Sequence, residues 1–514
     1  MTRPLTIAAL CLALFLAGAI SSAWNCDDSY IAFRYSRSLG EGQGLRYNLG
    51  VEPPVEGYTQ LGWVLWIGAF EWAGIDPVPV SRTTGIVAGA LLLLALLRTA
   101  SRRFGGDSLA TLTVGLVFAT SPSVLVWATG GLGTMPFALA VFLLWERLSA
   151  DPERPRVRGA LLAGLAVLLL RADSPFWVAL IGGFALLEGV RSGRRVQTRA
   201  AFTVSLTLLL AFIGLLAFRY SVHGDWIPNT ARNKVGLTSL TMWRGVQYVL
   251  HYWATIPSAL LLLALAPLTL RDSENRWLLS AWLVALATFA YGILVGGDFM
   301  AFGRFFVPAW PMLALCGGAL VRALARRRGA LPACALMLVF IGGSLPARYD
   351  VPLTPTALRE QVQFRWGMKY ASEFGFWQSM QSRCDTWIQL GRALALHTQP
   401  EESLVRGAIG AIGYYSRLFV FDQLGLVNRD VVARIEVNPK ERRLPGHDRK
   451  AHHRFFAEWK PTYRRAGISF GVRTLPDGSR VPLKEEPLAW GEELFPIYAA
   501  DGFRDDGFLH LYDY

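Results

Sequence analysis

The sequence predicts a polytopic α-helical membrane protein carrying a C-terminal α/β domain. Three observations predict it. Apolar runs of about 17–25 residues recur, the length that crosses a hydrocarbon core. Only 17% of the 514 residues are charged while 53% are hydrophobic, with 18 Trp and 29 Phe, a balance unlike that of a soluble chain. After Arg348 the apolar runs stop, and residues 348–514 are mixed polar, aromatic and charged, enough for one soluble domain.

The formal charge of +13 does not point to nucleic acid. It is concentrated in short Arg-rich loops, which normally fix topology on the cytoplasmic side. Neither a P-loop nor a GxGxxG motif after a strand is present. None of the five cysteines has CxxC spacing. Cys26 and Cys384 fall on the same outer side, and both a disulfide and two free thiols stand as readings.

In chain order, residues 5–24 form a first span, or a signal peptide cut near Ser21-Ser22-Ala23. Residues 29–40 read as an interfacial helix, with Asp27, Tyr30, Arg34 and Arg37 at three- and four-residue steps on one face. The segment 59–72 is apolar but short. If it crossed, Arg98, Arg102 and Arg103 would fall outside, so it reads as a re-entrant or interfacial helix. Spans then follow near 80–98, 107–121, 134–149, 157–171, 175–190, 200–218, 247–270, 277–295, 304–324 and 330–346. That makes about eleven crossings, with the basic loops inside and residues 348–514 outside. In the tail, residues 403–422 alternate apolar runs with Gly410 and Gly413, the pattern of buried strands joined by tight turns.

The outer loops carry the polar clusters. Asp27-Asp28 stands where the first span meets water, a costly place for charge. One reading is a helix N-cap; the other is a general base beside a carboxylate that orients it or raises its pKa. The loop 220–243, with His223, Asn229, Arg232 and Lys234 among aromatics, suits either lipid headgroups or a phosphate and a sugar. Gly296-Gly297-Asp298 leads to Arg304, which either snorkels to the interface or clamps a lipid phosphate. Arg171 and Asp173 read as an ion pair positioning two spans. His447, His452 and His453 lack a second ligand cluster and read as a surface loop.

Taken together these residues resemble the GT-C glycosyltransferases, and among them the terminal arabinofuranosyltransferases of bacterial arabinan synthesis. The likeness is carried by Asp27-Asp28-Ser29-Tyr30-Ile31 with Arg34-Tyr35, Gly40-Glu41-Gly42-Gln43-Gly44-Leu45, and Val55-Glu56-Gly57-Tyr58-Thr59. It continues in Pro228-Asn229-Thr230, Lys234-Val235-Gly236, Gly296-Gly297-Asp298 and Gly303-Arg304-Phe305. In the tail it covers Ile409 through Ser416, Asp422, Gly425-Leu426 and Pro445-Gly446-His447. The chain departs from the family at Gly131-Leu132-Gly133-Thr134, where an acid is usual, and at Arg171-Ala172-Asp173, where Pro is usual in the middle.

The resemblance implies a GT-C transmembrane catalytic domain over 1–347 and an extracytoplasmic domain over 348–514, in the bacterial cytoplasmic membrane. It implies an inverting transferase that moves a sugar, arabinofuranose foremost, from a polyprenyl-phosphate donor to an acceptor glycan. Asp28, or Asp27, is the expected base. Arg34, Tyr30, Glu56, Tyr58, His223, Asn229, Lys234, Asp298 and Arg304 are expected around the donor, and Tyr414 and His447 around the acceptor. Some relatives use a divalent metal, which Asp27 or Asp28 would bridge to the phosphate. Transfer of mannose or another hexose to a lipid or protein stays open. So does a lipid-glycan transporter, although such proteins place polar groups near the midplane in repeated halves.

Overall fold

The computed structural model describes residues 2–233, 238–438, 440–474, 480–482, 491–498, 501 and 507–514. Helices dominate the chain up to His397. Among the described residues four are long and apolar enough to cross a membrane: Pro77–Arg103, Arg195–His223, Arg304–Arg328 and Ala330–Tyr349. Four shorter apolar helices, Pro4–Ile20, Ser108–Ala119, Val157–Leu170 and Leu278–Leu294, accompany them. Local chemistry sets their starts. Asp76 accepts the Val78 N–H ahead of Pro77, and Asp107 accepts the Ala110 N–H, both filling orphan donors of a first turn.

The expected span at 247–270 is two helices. Ser239–Thr255 and Pro257–Leu270 meet at a 99° bend. Ile256 precedes Pro257, and a residue before proline is pushed out of the helical region. The two short helices expected before the first long span form, as Asp27–Gly40 and Leu61–Trp72. The first buries most of its surface, including Tyr30, Phe33, Arg34 and Tyr35.

The tail contributes the long helix Glu373–His397 and a mixed sheet. Its strands are β1 (Ser403–Arg406), β2 (Phe419–Asp422), β3 (Tyr463–Phe470), β4 (Val472–Thr474), β5 (Arg480–Pro482), β6 (Glu492–Ile497) and β7 (Gly507–Asp513). The five-stranded order is β2-β1-β3-β7-β6, while β4 and β5 pair separately. β1 and β2 run parallel, so the chain between them must cross over. It does so through the helix Gly410–Ser416, where the glycines had suggested a tight turn.

The loop after Asp27–Gly40 binds this unit. β2 is an edge strand, and Asn48 satisfies it: its Nδ2 donates to Val420 O at 2.9 Å and its Oδ1 accepts from Val420 N at 3.1 Å. Tyr47 donates to Ile409 O at 2.5 Å. Further along, Glu373 is buried against Arg365 at 2.6 Å and His251 at 3.0 Å, and accepts the Phe302 N–H at 2.5 Å. Burial alone raises the Glu373 carboxyl; Arg365 and His251 outweigh it and hold it well below the usual carboxylate range. The start of the long tail helix is thereby tied to the bent helix pair. Cys26 and Cys384 are both free and buried.

Candidate active site

Where these two short helices, the loop before Arg304 and the tail converge, a cavity of about 300 Å³ opens. The helical part of the chain lines it with Asp28, Gln60, Thr134, Arg171, Asp298 and Arg304. At its tail end stand Met380, Arg383, Trp387, Ile409, Leu426 and His447.

Arg304 is aimed by its approach. Gly296 and Gly297 adopt left-handed φ of 73° and 82°, which glycine takes without penalty. The turn they make brings Asp298 back against the guanidinium: Arg304 Nε lies 2.6 Å from Asp298 Oδ2, and Nη2 donates to Oδ1 at 3.2 Å. The Arg304 Nη1 then reaches Asp28 Oδ2 at 3.5 Å. Arg171 also lies against the Phe305 ring, 5.0 Å from its centroid, with Arg304 at 5.4 Å. Arg171 is held by two parallel bonds to Asp173, at 2.8 and 2.7 Å, and Tyr291 donates to the same carboxylate. The ion pair read from sequence is there, and it also presents a guanidinium to the cavity.

The adjacent carboxylates are not equivalent. Asp27 accepts the Ala411 N–H at 2.8 Å and the Gly410 N–H at 3.2 Å. A Cβ at Gly410 would overlap the Asp27 backbone carbonyl, so only glycine allows this approach. Burial pushes the Asp27 carboxyl up to about 6, against the pull of those N–H groups. Asp28 is a third exposed and meets Arg304 across the cavity.

Of the other residues expected at the donor or acceptor, Tyr58, Asp298, Arg304 and His447 line the cavity. Arg34 does not. Its guanidinium donates to Tyr47 O, Gly413 O and Leu418 O at 2.6 to 2.7 Å and to Asn48 Oδ1 at 3.2 Å, so its donors are committed to the fold. His223 lies behind Tyr58: Nδ1 is 2.9 Å from Pro54 O and Nε2 is 3.1 Å from the Tyr58 hydroxyl. A carbonyl only accepts, so Nδ1 carries the proton and Nε2 accepts from Tyr58. Glu56 is paired with Arg219 at 2.7 Å, and its burial pushes the carboxyl up to about 7 despite that cation. Asn229 donates to Gly425 O and Leu426 O. Tyr30 packs on Tyr414 and Tyr415. Tyr414 donates to Glu71 at 2.8 Å beneath the Arg37 guanidinium, away from the cavity. Lys234 lies outside the described residues.

Sequence reasoning missed Arg244, Arg383 and Trp387 as cavity residues. Arg244 forms a buried pair with Asp448 at 2.8 Å, joining the bent helix pair to the loop that carries His447. No local motif marks such a partner, which lies 204 positions away. The divalent metal expected at Asp27 or Asp28 has no closed set of protein ligands among the described residues. Both Asp27 oxygens are taken by backbone N–H groups, and among the described residues no cluster of three His, Cys, Asp or Glu side chains gathers.

Comparison with known proteins adds the fold. Two crystal structures of ArnT from Cupriavidus metallidurans match nearly end to end. The one bound to undecaprenyl phosphate has a TM-score of 0.53 at 15% identity, over 99% of this chain and 97% of ArnT. The apo form gives 0.52 at 14%, with the same coverage. The likeness is one of fold. Residues 373–474, which open with the long tail helix, match a family described as a domain of unknown function, DUF8728. No curated protein matches the sequence.

Proposed function

We propose that this chain is a membrane glycosyltransferase of the GT-C type. It moves a sugar from a polyprenyl-phosphate donor to an acceptor glycan at the outer face of the bacterial cytoplasmic membrane. In this reading residues 1–347 form the membrane-embedded catalytic part and residues 348–514 lie outside. Arabinofuranose is the sugar assigned, on the residue likeness given above.

One observation carries the reading: an accessible carboxylate and a clamped guanidinium, Asp28 and Arg304, face each other in one cavity. It is supported by a fold like that of ArnT, whose structure is described as bound to undecaprenyl phosphate.

A polyprenyl-phosphate sugar carries its own good leaving group, so the reaction needs a base more than an acid. Asp28 takes the acceptor hydroxyl proton while that oxygen attacks the anomeric carbon. The bond from that carbon to the phosphate oxygen breaks on the opposite face, so the configuration inverts and polyprenyl phosphate leaves. Base assistance of this kind is worth roughly a hundred- to ten-thousandfold. The charge growing on the phosphate is held electrostatically by the Arg304 and Arg171 guanidinium groups, which line the cavity. Asp298 and Asp173 keep the two guanidinium groups in place, and Tyr58 and His447 bound the donor and acceptor sides.

A second reading exchanges the carboxylates, with Asp27 as the base. Its carboxyl, lifted to about 6, stands closer to a working pH than an ordinary aspartate. Separate Asp28→Asn and Asp27→Asn variants, assayed for transfer from a polyprenyl-phosphate sugar, decide between them. The assignment to Asp28 fails if Asp28→Asn keeps near wild-type turnover.

A further inference from the structure

The helix Glu373–His397 lays one stripe along the cavity. Phe376, Met380, Arg383 and Trp387 all line it. Steps of four, three and four residues keep side chains on one helical face, and this stretch of helix covers roughly 16 Å. Trp387 is a fixed plate, half-buried and packed against two separate hydrophobic clusters. Among the described residues no partner takes its indole N–H. Arg383 is exposed, braced on Ser379 Oγ at 2.9 Å with its guanidinium 5.7 Å from the Phe376 ring.

We propose that this stripe is the acceptor subsite, and that the acceptor is an oligosaccharide chain, not a single sugar or a small headgroup. The inference rests on the transferase reading above and names the substrate class of that site. A sugar ring has an apolar C–H face and a rim of hydroxyl groups. The Trp387 face takes the first, and the Arg383 and indole N–H groups take the second, the pairing of apolar wall and placed donors that orients ligands. A track of this length holds more than one ring in line with Asp28, which lines the same cavity.

The test uses the full chain in lipid nanodiscs with two probe series, linear arabinofuranose and linear mannose oligomers from one to four units. Undecaprenyl phosphate binding is measured in parallel as the check on folding. In at least one series the tetramer binds about tenfold tighter than the monomer. Trp387→Ala removes that length dependence, Trp387→Phe keeps it, and Arg383→Ala weakens the longer oligomers selectively. All variants bind undecaprenyl phosphate as wild type does. Affinity that ignores length in both series, or a length dependence unchanged in Trp387→Ala, overturns the subsite. Length-dependent binding without any sugar transfer leaves the subsite standing and overturns the transferase reading instead.

Discussion

Asp27 Oδ1 accepts the Ala411 N–H at 2.8 Å, and this bond separates two carboxylates that the sequence presents as a pair. Asp27 fastens the Gly410–Ser416 helix to the Asp27–Gly40 helix. Asp28, one residue on, turns to the cavity and to Arg304. Neither caps its own helix, whose N-cap is Cys26 with no side-chain cap bond, so the N-cap reading is replaced by a bond to a distant helix that adjacency alone could not reveal.

The pH dependence of stability tests the Asp27 role. Its folded carboxyl titrates near 6 against an ordinary value of 3.8. Between those limits the folded state holds a proton that the unfolded chain releases, so the residue's contribution to stability falls as pH rises through that window. Asp27→Asn has no such group. The gap in Tm between wild type and Asp27→Asn therefore shrinks from about pH 4 to about pH 7. Thermal unfolding in detergent across that range measures it. A gap that widens contradicts the assignment.

Arg34 is a structural cation, and its loss is felt as unfolding. Arg34→Ala strands three buried backbone carbonyls on residues 47, 413 and 418. The expected cost is roughly 3 kcal/mol or more, in the range for broken buried networks. Thermal denaturation shows it. Undecaprenyl phosphate affinity per folded molecule stays within a factor of a few.

Arg304 belongs to the donor. Arg304→Ala removes a charge-assisted contact worth roughly 1.5–3 kcal/mol, so the donor KM rises by about tenfold or more. Arg326, in an exposed pair with Glu274 at 3.0 Å, is the control, and Arg326→Ala leaves KM unchanged. Steady-state kinetics with a lipid-phosphate sugar separates the two.

The helical, apolar character of the chain and the neighbourhood of Asp28, Asp298 and Arg304 were legible because both rest on local pattern. Against about eleven expected crossings, however, the described residues hold four helices long and apolar enough, or five with the bent pair. Apolar length, Arg-rich loops and acids at a span's edge need no distant partner to be read. Gly296-Gly297-Asp298 and Arg304 came out together because five residues of loop suffice to join them. What failed was the choice among cations. Arg34 and His223 look like phosphate ligands by type, yet their donors go to carbonyls at Tyr47, Leu418 and Pro54, which no spacing reveals. Arg171 was read through Asp173 alone, because its approach to Phe305 depends on how two helices pack. The break at Pro257 carried a local signal, the residue before a proline, that hydropathy over 247–270 conceals. Trp387 and Arg383 needed the Glu373–His397 helix to be placed before their shared face meant anything.

The most direct measurement is single-turnover transfer of labelled sugar from a polyprenyl-phosphate donor by Asp28→Asn, with donor binding measured on the same sample. With donor affinity kept, the rate falls by roughly a hundredfold or more, the share of a general base. Transfer at near wild-type rate by a variant that still binds donor contradicts the account.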